Sequence, residues 1–128
     1  MTKVLLCDDS NIILSILDKR LSLHGFTILG KAKDGEEGFK LYKELKPELV
    51  LLDITMPNRD GKECLADILS FDKSACVIMV SALSDQAVSE ECLKLGAKAF
   101  ISKAHLSSTN DFEAHVLSVI RPLIKTAA

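Results

Sequence analysis

The amino-acid sequence predicts an α/β fold, a doubly wound parallel sheet of five strands with helices packed on both faces. Short apolar runs alternate along the chain with stretches whose apolar residues recur at helical spacing, and this alternation is typical of parallel sheets. Several of the runs lack an in–out pattern, as expected of strands that helices cover on both sides. The 128 residues contain no linker or repeat, so we expect one domain spanning residues 1–128 and no output domain.

Five apolar runs are the predicted strands, and each is followed by a helical pattern. Connections between parallel strands of one sheet cross over with a right-handed sense. Ligands of such sheets bind beyond the carboxyl ends of the strands, so the residues that end or follow each run form the candidate site. The runs cover residues 3–7, 26–31, 49–53, 76–80 and 98–101.

Five helices are predicted from apolar residues three or four positions apart, which form one stripe on a helix surface. Helix-ending residues close three of these patterns: Gly25, Pro47 and Gly96. In chain order the stripes are Ile13, Ile16, Leu17 and Leu21; Phe39, Tyr42 and Leu45; Leu65, Ile68 and Leu69; Val88, Cys92 and Leu95; and Phe112, Val116, Val119 and Ile120.

Composition narrows the classes of function. A net charge of −2 does not favour binding to nucleic acid, which usually requires a basic surface. No apolar run approaches the roughly 20 residues of a membrane span, and the N-terminus lacks a signal-peptide layout, so we expect a cytoplasmic protein without a membrane partner. No C-x-x-C pair occurs, and we interpret Cys7, Cys64, Cys76 and Cys92 as small buried residues of a reducing compartment.

Charged and polar side chains collect at the predicted strand ends. Asp8 and Asp9 follow the first strand, Asp53 ends the third, Ser81 follows the fourth and Lys103 follows the fifth. Packed carboxylates repel one another, and a hard cation such as Mg²⁺ relieves that repulsion while accepting all-oxygen ligands. Metal, ammonium and hydroxyl together could neutralise the oxygens of a transferring phosphoryl group, and a carboxylate could serve as its nucleophile.

Each of these residues alone has an ordinary alternative. The Asp8-Asp9-Ser10 segment could simply cap the first helix, and Asp53 could end a strand in the turn that Met56-Pro57-Asn58 indicates. A lone serine or lysine at a strand end is most often a turn residue or a solvated charge. The prediction therefore depends on their joint position at successive strand ends.

Four stretches carry a resemblance to a known family: V-L-L-C-D-D-S at 4–10, L-V-L-L-D-I-T-M-P-N-R-D-G at 49–61, V-I-M-V-S-A at 77–82 and G-A-K-A-F-I-S-K at 96–103. Together they resemble the receiver domains of two-component response regulators, and the layout is close to the chemotaxis type. The resemblance covers the chain from Lys3 to about Lys103. It implies a flavodoxin-like (βα)5 fold with strand order 2-1-3-4-5, an order for which the chemotaxis receiver itself is the standard example.

The resemblance also implies a role for each matching residue. Asp53 would be the phosphorylated aspartate, in a reaction that needs Mg²⁺. The implied metal ligands are Asp9, Asp8 through water, Asp53 itself and the backbone carbonyl of Thr55. The implied phosphoryl contacts are Ser81, Lys103 and the backbone amide of Ala82, and the implied switch pair is Ser81 with the aromatic Phe100.

The implied partners are proteins. A histidine kinase or a histidine phosphotransfer protein would donate the phosphoryl group, and a target would bind the face formed by helix 4, strand 5 and helix 5. We expect a monomer, with dimerisation possible on activation. A receiver domain excised from a longer regulator and a phosphorelay intermediate both remain open.

Two other classes of function share parts of this pattern. A haloacid-dehalogenase-like phosphohydrolase also uses a strand-end Asp with a hydroxyl, a lysine and Mg²⁺. It needs a second Asp where this chain has Thr55, and a cap for which the chain lacks room. A flavin or nucleotide carrier needs a glycine-rich phosphate loop after the first strand, where this chain has acidic residues.

Several positions depart from the family pattern or lie outside it. Ala104 replaces the usual proline after Lys103, and because a cis bond before a non-proline residue costs roughly 2.5–4 kcal/mol, we expect a trans bond and a rearranged loop through His105. Pro122 should kink or fray the last helix. Thr55 and Leu83 are expected to tune the lifetime of the acyl phosphate. We interpret His24, His105 and His115 as structural or solvent-facing residues.

Overall fold

The computed structural model describes residues 2–82 and 86–124 and contains one parallel sheet of five strands. The strands follow one another across the sheet in the order β2-β1-β3-β4-β5, so the predicted fold class and strand order are confirmed. This order places the ends of β1, β3 and β4 side by side in the middle of one sheet edge. The strands are β1 (Lys3–Cys7), β2 (Thr27–Ala32), β3 (Leu49–Asp53), β4 (Val77–Ser81) and β5 (Ala99–Ser102).

Helices connect the strands and cover both faces of the sheet. A short 3-10 turn at Lys103–His105 follows β5, and the last helical region joins three segments, Thr109–Phe112, the π-helical Glu113–Leu117 and Ser118–Ile124. We call these three segments together α5 (109–124). The other helices are α1 (Asn11–Leu23), α2 (Gly35–Leu45), α3 (Gly61–Phe71) and α4 (Gln86–Leu95).

Alternate residues of the central strands point into two separate apolar layers. Val4 and Leu6 of β1 pack with α1 and α5 on one face, whereas Leu5 and Cys7 pack with α2, α3 and α4 on the other. Because both faces of β1, β3 and β4 are covered, these strands are apolar except for Lys3 at the start of β1, Asp53 at the end of β3 and Ser81 at the end of β4. The two layers hold the central strands firmly, and so fix the sheet edge on which the charged residues collect.

Three predicted strands are displaced by one residue: β2, β4 and β5 each begin and end one residue later than expected. Phe26 lies before β2 because its backbone N–H donates to the carbonyl of Leu21 and closes the turn after α1. Cys76 and Lys98 lie just before β4 and β5 but still hydrogen-bond to neighbouring chain segments, Cys76 to Val50 and Lys98 to Val77.

The cysteines are free, and the prediction that they are small buried residues holds for Cys7, Cys64 and Cys92, while Cys76 is half-buried. Burial raises the pKa of the Cys64 thiol to about 12, which keeps it protonated and unreactive. None of the helices at residues 2–82 and 86–124 combines the length and the apolar character that crossing a bilayer requires.

Two local predictions concern the end of the chain. The described residues contain no cis peptide bond, so the 103–104 bond is trans as expected, and the rearranged loop is the 3-10 turn capped by the Ser102 hydroxyl, which accepts from the Ala104 N–H at 3.2 Å. Pro122 lies inside an α-helical segment, and the irregularity of α5 is the π-helical stretch Glu113–Leu117 that precedes it. The departure from regular helix therefore lies upstream of the proline rather than at it.

Candidate functional site

The carboxyl ends of β1, β3 and β5 bring Asp8, Asp53 and Lys103 together. The Nζ atom of Lys103 lies 3.1 Å from Oδ2 of Asp8 and 3.1 Å from Oδ1 of Asp53. Both carboxylates are buried, with about 2–3% of their side chains exposed, whereas a quarter of the Lys103 side chain reaches solvent. One ammonium group therefore bridges two carboxylates at the rim of the sheet.

Hydrogen bonds from neighbouring segments hold the first of these carboxylates in place. The Asp8 backbone N–H donates to the Ala32 carbonyl at the end of β2, and Asp8 Oδ1 accepts from the Ser10 N–H at 2.9 Å. Ser10 in turn caps α1, because its hydroxyl accepts from the Ile13 N–H. The Asp8-Asp9-Ser10 segment thus caps a helix, as the ordinary alternative proposed, and also contributes its acidic residues to the site.

The negative charges in the pocket are not fully compensated. Burial and then the neighbouring charge of Asp8 raise the pKa of Asp53 to about 6, against the lowering effects of Lys103 and of the Ile54 backbone N–H. For Lys103, burial lowers the pKa, but the charges of Asp53 and Asp8 outweigh it and leave the pKa above its ordinary value. The lysine is therefore a fixed positive charge that relieves the repulsion between the two buried acids only in part.

The donor set of the pocket fits a hard divalent cation. Asp8, Asp9 and Asp53 each offer a carboxylate oxygen, and these oxygens lie within 4.8 Å of one another. Asp8 Oδ2 is buried and has no hydrogen-bond partner among the described residues, although Lys103 is close enough to pair with it. Asp9 is exposed, which leaves an open side for water ligands. Clustered oxygen donors with access to water suit Mg²⁺.

Ser81 and Ala82 lie beside Asp53 at the end of the adjacent strand. Asp53 is opposite Val80 in the β3–β4 register, so Ser81 lies one residue further toward the sheet edge. Ser81 is only 3% exposed and is paired with Ser102, the residue before Lys103. Ala82 is half-buried, and Leu83 lies outside the described residues. The register therefore brings the serine to the same sheet edge as the lysine and the acids.

Phe100 and Thr55 lie at two further predicted positions. Phe100 is in β5 opposite Met79, and its partly buried side chain packs against the apolar layer that includes Met79. This position is compatible with a core residue and also with an aromatic side chain that changes its conformation. Thr55 is exposed in the loop between β3 and α3, two residues beyond Asp53.

Sequence reasoning missed the residues that shape the loop between β3 and α3. The Gly61 N–H donates to the Ile54 carbonyl at 2.7 Å, and a Cβ atom on Gly61 would lie far inside van der Waals contact with the carbonyl oxygen of Asp53. Asn58 has a positive φ of 64°, and its side-chain amide donates to Asp34 Oδ2 at 2.7 Å. The signal available was the N-R-D-G segment itself, in which asparagine and glycine favour left-handed or crowded backbone positions.

The chain is similar to known proteins over most of its length. The family model for the response regulator receiver domain matches residues 4–112. The Bacillus subtilis protein CcdB is 45% identical over 103 residues, which cover 80% of this chain and 86% of that protein. The chemotaxis protein CheY of Listeria monocytogenes is 42% identical, over 80% of this chain and 87% of its own length.

A solved structure is similar over nearly the whole fold. A chain in the crystal structure of the CheX–CheY–BeF3–Mg²⁺ complex from Borrelia burgdorferi superposes with a TM-score of 0.84. It is 38% identical to this chain, and the match covers 95% of this chain and 88% of the other.

Proposed function

The chain belongs to the response regulator receiver domain family of two-component signalling proteins, and from this premise we propose that it is a phospho-acceptor module whose acceptor is Asp53. The observation that carries the proposal is the position of Lys103 Nζ, 3.1 Å from both Asp53 and Asp8 in an otherwise acidic, buried pocket. A lysine on the surface is solvated and does not need two buried carboxylates. A carboxylate that accepts a phosphoryl group, in contrast, needs a fixed positive charge beside it.

The proposed reaction is the transfer of a phosphoryl group from a phosphohistidine of another protein. A carboxylate oxygen of Asp53 forms a bond to phosphorus, the nitrogen–phosphorus bond breaks, and its electron pair returns to the histidine ring. The ammonium of Lys103, the hydroxyl of Ser81 and the backbone N–H of Ala82 hold the phosphoryl oxygens. Such a reaction asks the protein mainly for position and charge, and these strand-end groups supply both.

We further propose that Asp8, Asp9, Asp53 and the backbone carbonyl of Thr55 hold Mg²⁺, with Asp8 acting mostly through water. The grouped oxygens of the three acids, two of them buried and, among the described residues, only one ammonium beside them, support this assignment. The bound ion would supply positive charge to the acids and to the phosphoryl oxygens. The similar Borrelia burgdorferi structure is a complex that contains Mg²⁺ together with BeF3.

Phosphorylation is proposed to act through Ser81 and Phe100. An acyl phosphate adds negative charge and acceptor oxygens at Asp53, and these draw the Ser81 hydroxyl toward them. The space left behind Ser81 admits the ring of Phe100, which is only partly buried before the change. The moving ring alters the surface of α4, β5 and α5, and a target protein reads that surface.

The partners in this proposal are a histidine kinase or a histidine phosphotransfer protein and one target protein, all in the cytoplasm. The unphosphorylated protein is a monomer that can dimerise on activation. The Borrelia burgdorferi complex contains CheX alongside CheY, which supports recognition by a protein rather than by nucleic acid. A phosphorelay intermediate uses the same chemistry and differs only in the next acceptor.

The test uses acetyl phosphate as donor and intact-mass spectrometry as readout. With Mg²⁺ the protein should gain one phosphoryl group, and it should gain none with EDTA or in the Asp53→Asn variant. Glu36→Gln, which removes an exposed carboxylate of α2, is the matched control and should label normally. Labelling that persists in Asp53→Asn would place the acceptor elsewhere and overturn the proposal.

A further inference from the structure

A second group of metal-ligating side chains lies on the β5–α5 side of the molecule, apart from the acidic pocket. His105 ends the 3-10 turn after β5, and Asp111 and His115 lie in α5. One ligand atom from each of these three side chains lies within 4.8 Å of the others. The rings of His105 and His115 are stacked, with centroids 4.1 Å apart and planes inclined by 24°.

One ring nitrogen of His105 has no polar partner in the part of the chain that the structure describes. His105 Nδ1 is inaccessible to solvent and has no hydrogen-bond partner among the described residues. A buried imidazole nitrogen without a partner costs free energy that a hydrogen bond or a metal ion would recover. Asp111 is half-buried and His115 exposed, so the group opens to solvent on one side.

We propose that His105, Asp111 and His115 form a binding site for a divalent transition metal ion, with Zn²⁺ as the best fit. Two imidazoles and one carboxylate are ligands that Zn²⁺ accepts readily, whereas Mg²⁺ prefers oxygen ligands alone. Three protein ligands leave a fourth tetrahedral position for water. The lone pair of an imidazole nitrogen lies in the ring plane, so the exposed His115 ring has to turn out of its stack on His105 for both nitrogens to reach one ion.

The backbone around the site is already held in place. The Asp111 N–H donates to the hydroxyl of Ser108, which caps the start of α5. The guanidinium of Arg20 donates to the Ser107 carbonyl at 2.7 Å and to the Thr109 hydroxyl at 3.1 Å, and so ties the preceding loop to α1. The metal would cross-link the turn after Lys103 to α5. Since His105 is two residues from Lys103, metal binding would restrain the backbone at Lys103.

Zinc titration by isothermal calorimetry tests the proposal on the full chain without a histidine tag, in excess Mg²⁺ to occupy the acidic pocket. The wild-type protein should bind one Zn²⁺ ion. His105→Ala, His115→Ala and Asp111→Asn should each weaken binding by roughly 10- to 100-fold or more, because even residues that only support a metal ligand have effects of that size. His24→Gln removes an imidazole outside the group and should bind as wild type does.

A second measurement keeps the proposal testable if a variant folds poorly. In NMR spectra of the wild-type protein, Zn²⁺ should shift the imidazole signals of His105 and His115 and leave those of His24 in place. Wild-type affinity in both His105→Ala and His115→Ala would show that thiols or the acidic pocket bind the ion, and would overturn the proposal. Unchanged imidazole signals at saturating Zn²⁺ would overturn it equally.

Discussion

The ammonium nitrogen of Lys103 lies 3.1 Å from Oδ1 of Asp53, and the lysine reaches it from the turn that follows the last strand of the sheet. This pair does not cancel the strain in the pocket, because the pKa of Asp53 is still raised to about 6. Burial and the charge of Asp8 therefore outweigh the attraction of the lysine. The environment of Asp53 disfavours its charged form, and such shifted acids are typical of functional sites.

The first prediction is that Asp53→Asn stabilises the metal-free protein, and that the gain grows with pH. Asp53 has a pKa of about 6 in the folded protein and an ordinary value of 3.8, so the folded state binds the proton more tightly. Stability is thus lost as pH rises from about 4 to about 6, and it stays reduced above that window. Asparagine does not titrate. The gain should be small at pH 4 and about 3 kcal/mol at pH 7.5, since each pKa unit corresponds to about 1.4 kcal/mol.

Urea unfolding in EDTA at a series of pH values measures this difference. Glu36→Gln, which also removes one carboxylate, serves as the control and should show a much smaller gain at pH 7.5. A gain for Asp53→Asn that is the same at pH 4 and pH 7.5 would show that Asp53 ionises normally in the folded protein.

The second prediction concerns Lys103→Met. The lysine lowers the pKa of Asp53, so removing its charge should move that pKa further above about 6. The variant should also lose most of its labelling by acetyl phosphate, because the phosphoryl oxygens lose a charged donor. Titration of the Asp53 side-chain carboxyl carbon by NMR, in the absence of divalent cations, measures the pKa directly.

Lys98→Met is the matched control for this experiment. Lys98 is exposed and precedes β5, five residues before Lys103 in the chain, so its loss removes the same charge outside the pocket. It should leave both the Asp53 pKa and the labelling close to the wild-type values. Equal effects of the two substitutions would point to net charge rather than to the contact between Lys103 and Asp53.

The sequence was sufficient to predict the fold and the strand-end residues of the site. Asp8, Asp53, Ser81 and Lys103 end or follow strands, and a parallel sheet places all such ends on one edge regardless of how the loops run. The position of these strand ends depends only on the order of the elements. It is therefore insensitive to the one-residue errors at β2, β4 and β5.

Two features could not be predicted because they depend on loop and helix geometry. His105 meets His115 only because the chain forms a 3-10 turn after Lys103 and a π-helical stretch inside α5, and neither has a strong sequence signal. The close approach of Gly61 to Asp53 depends on how tightly the loop after β3 returns to the start of α3. Only the spacing of Asp111 and His115, four residues apart in a helical pattern, is visible in the sequence.

The third prediction is that Mg²⁺ stabilises the protein and that Asp9→Asn weakens the effect. A ligand that binds only the folded state adds stability that grows with the logarithm of its concentration. Asp9 is exposed, so its substitution should preserve the fold while removing one oxygen of the cluster. Thermal unfolding across a Mg²⁺ series should show the midpoint rising for wild type and for Glu36→Gln, and rising only at higher concentration for Asp9→Asn. An identical response in Asp9→Asn would remove Asp9 from the metal site.

The fourth prediction is that Gly61→Ala damages the site through the backbone. The added methyl group would run into the carbonyl of Asp53, and the backbone there cannot yield without moving the acceptor. Overpacking of this kind costs about 1–3 kcal/mol, and the shift should also weaken Mg²⁺ binding and labelling by acetyl phosphate. Gly30→Ala is the matched control, because the atom closest to its new methyl group is the far end of the Leu45 side chain, which can rotate away. Denaturant unfolding and labelling by acetyl phosphate, measured on both variants, distinguish a clash with the Asp53 backbone from the mere addition of a methyl group. If Gly61→Ala were as stable and as active as Gly30→Ala, the tight return of the loop after β3 would have no part in positioning Asp53.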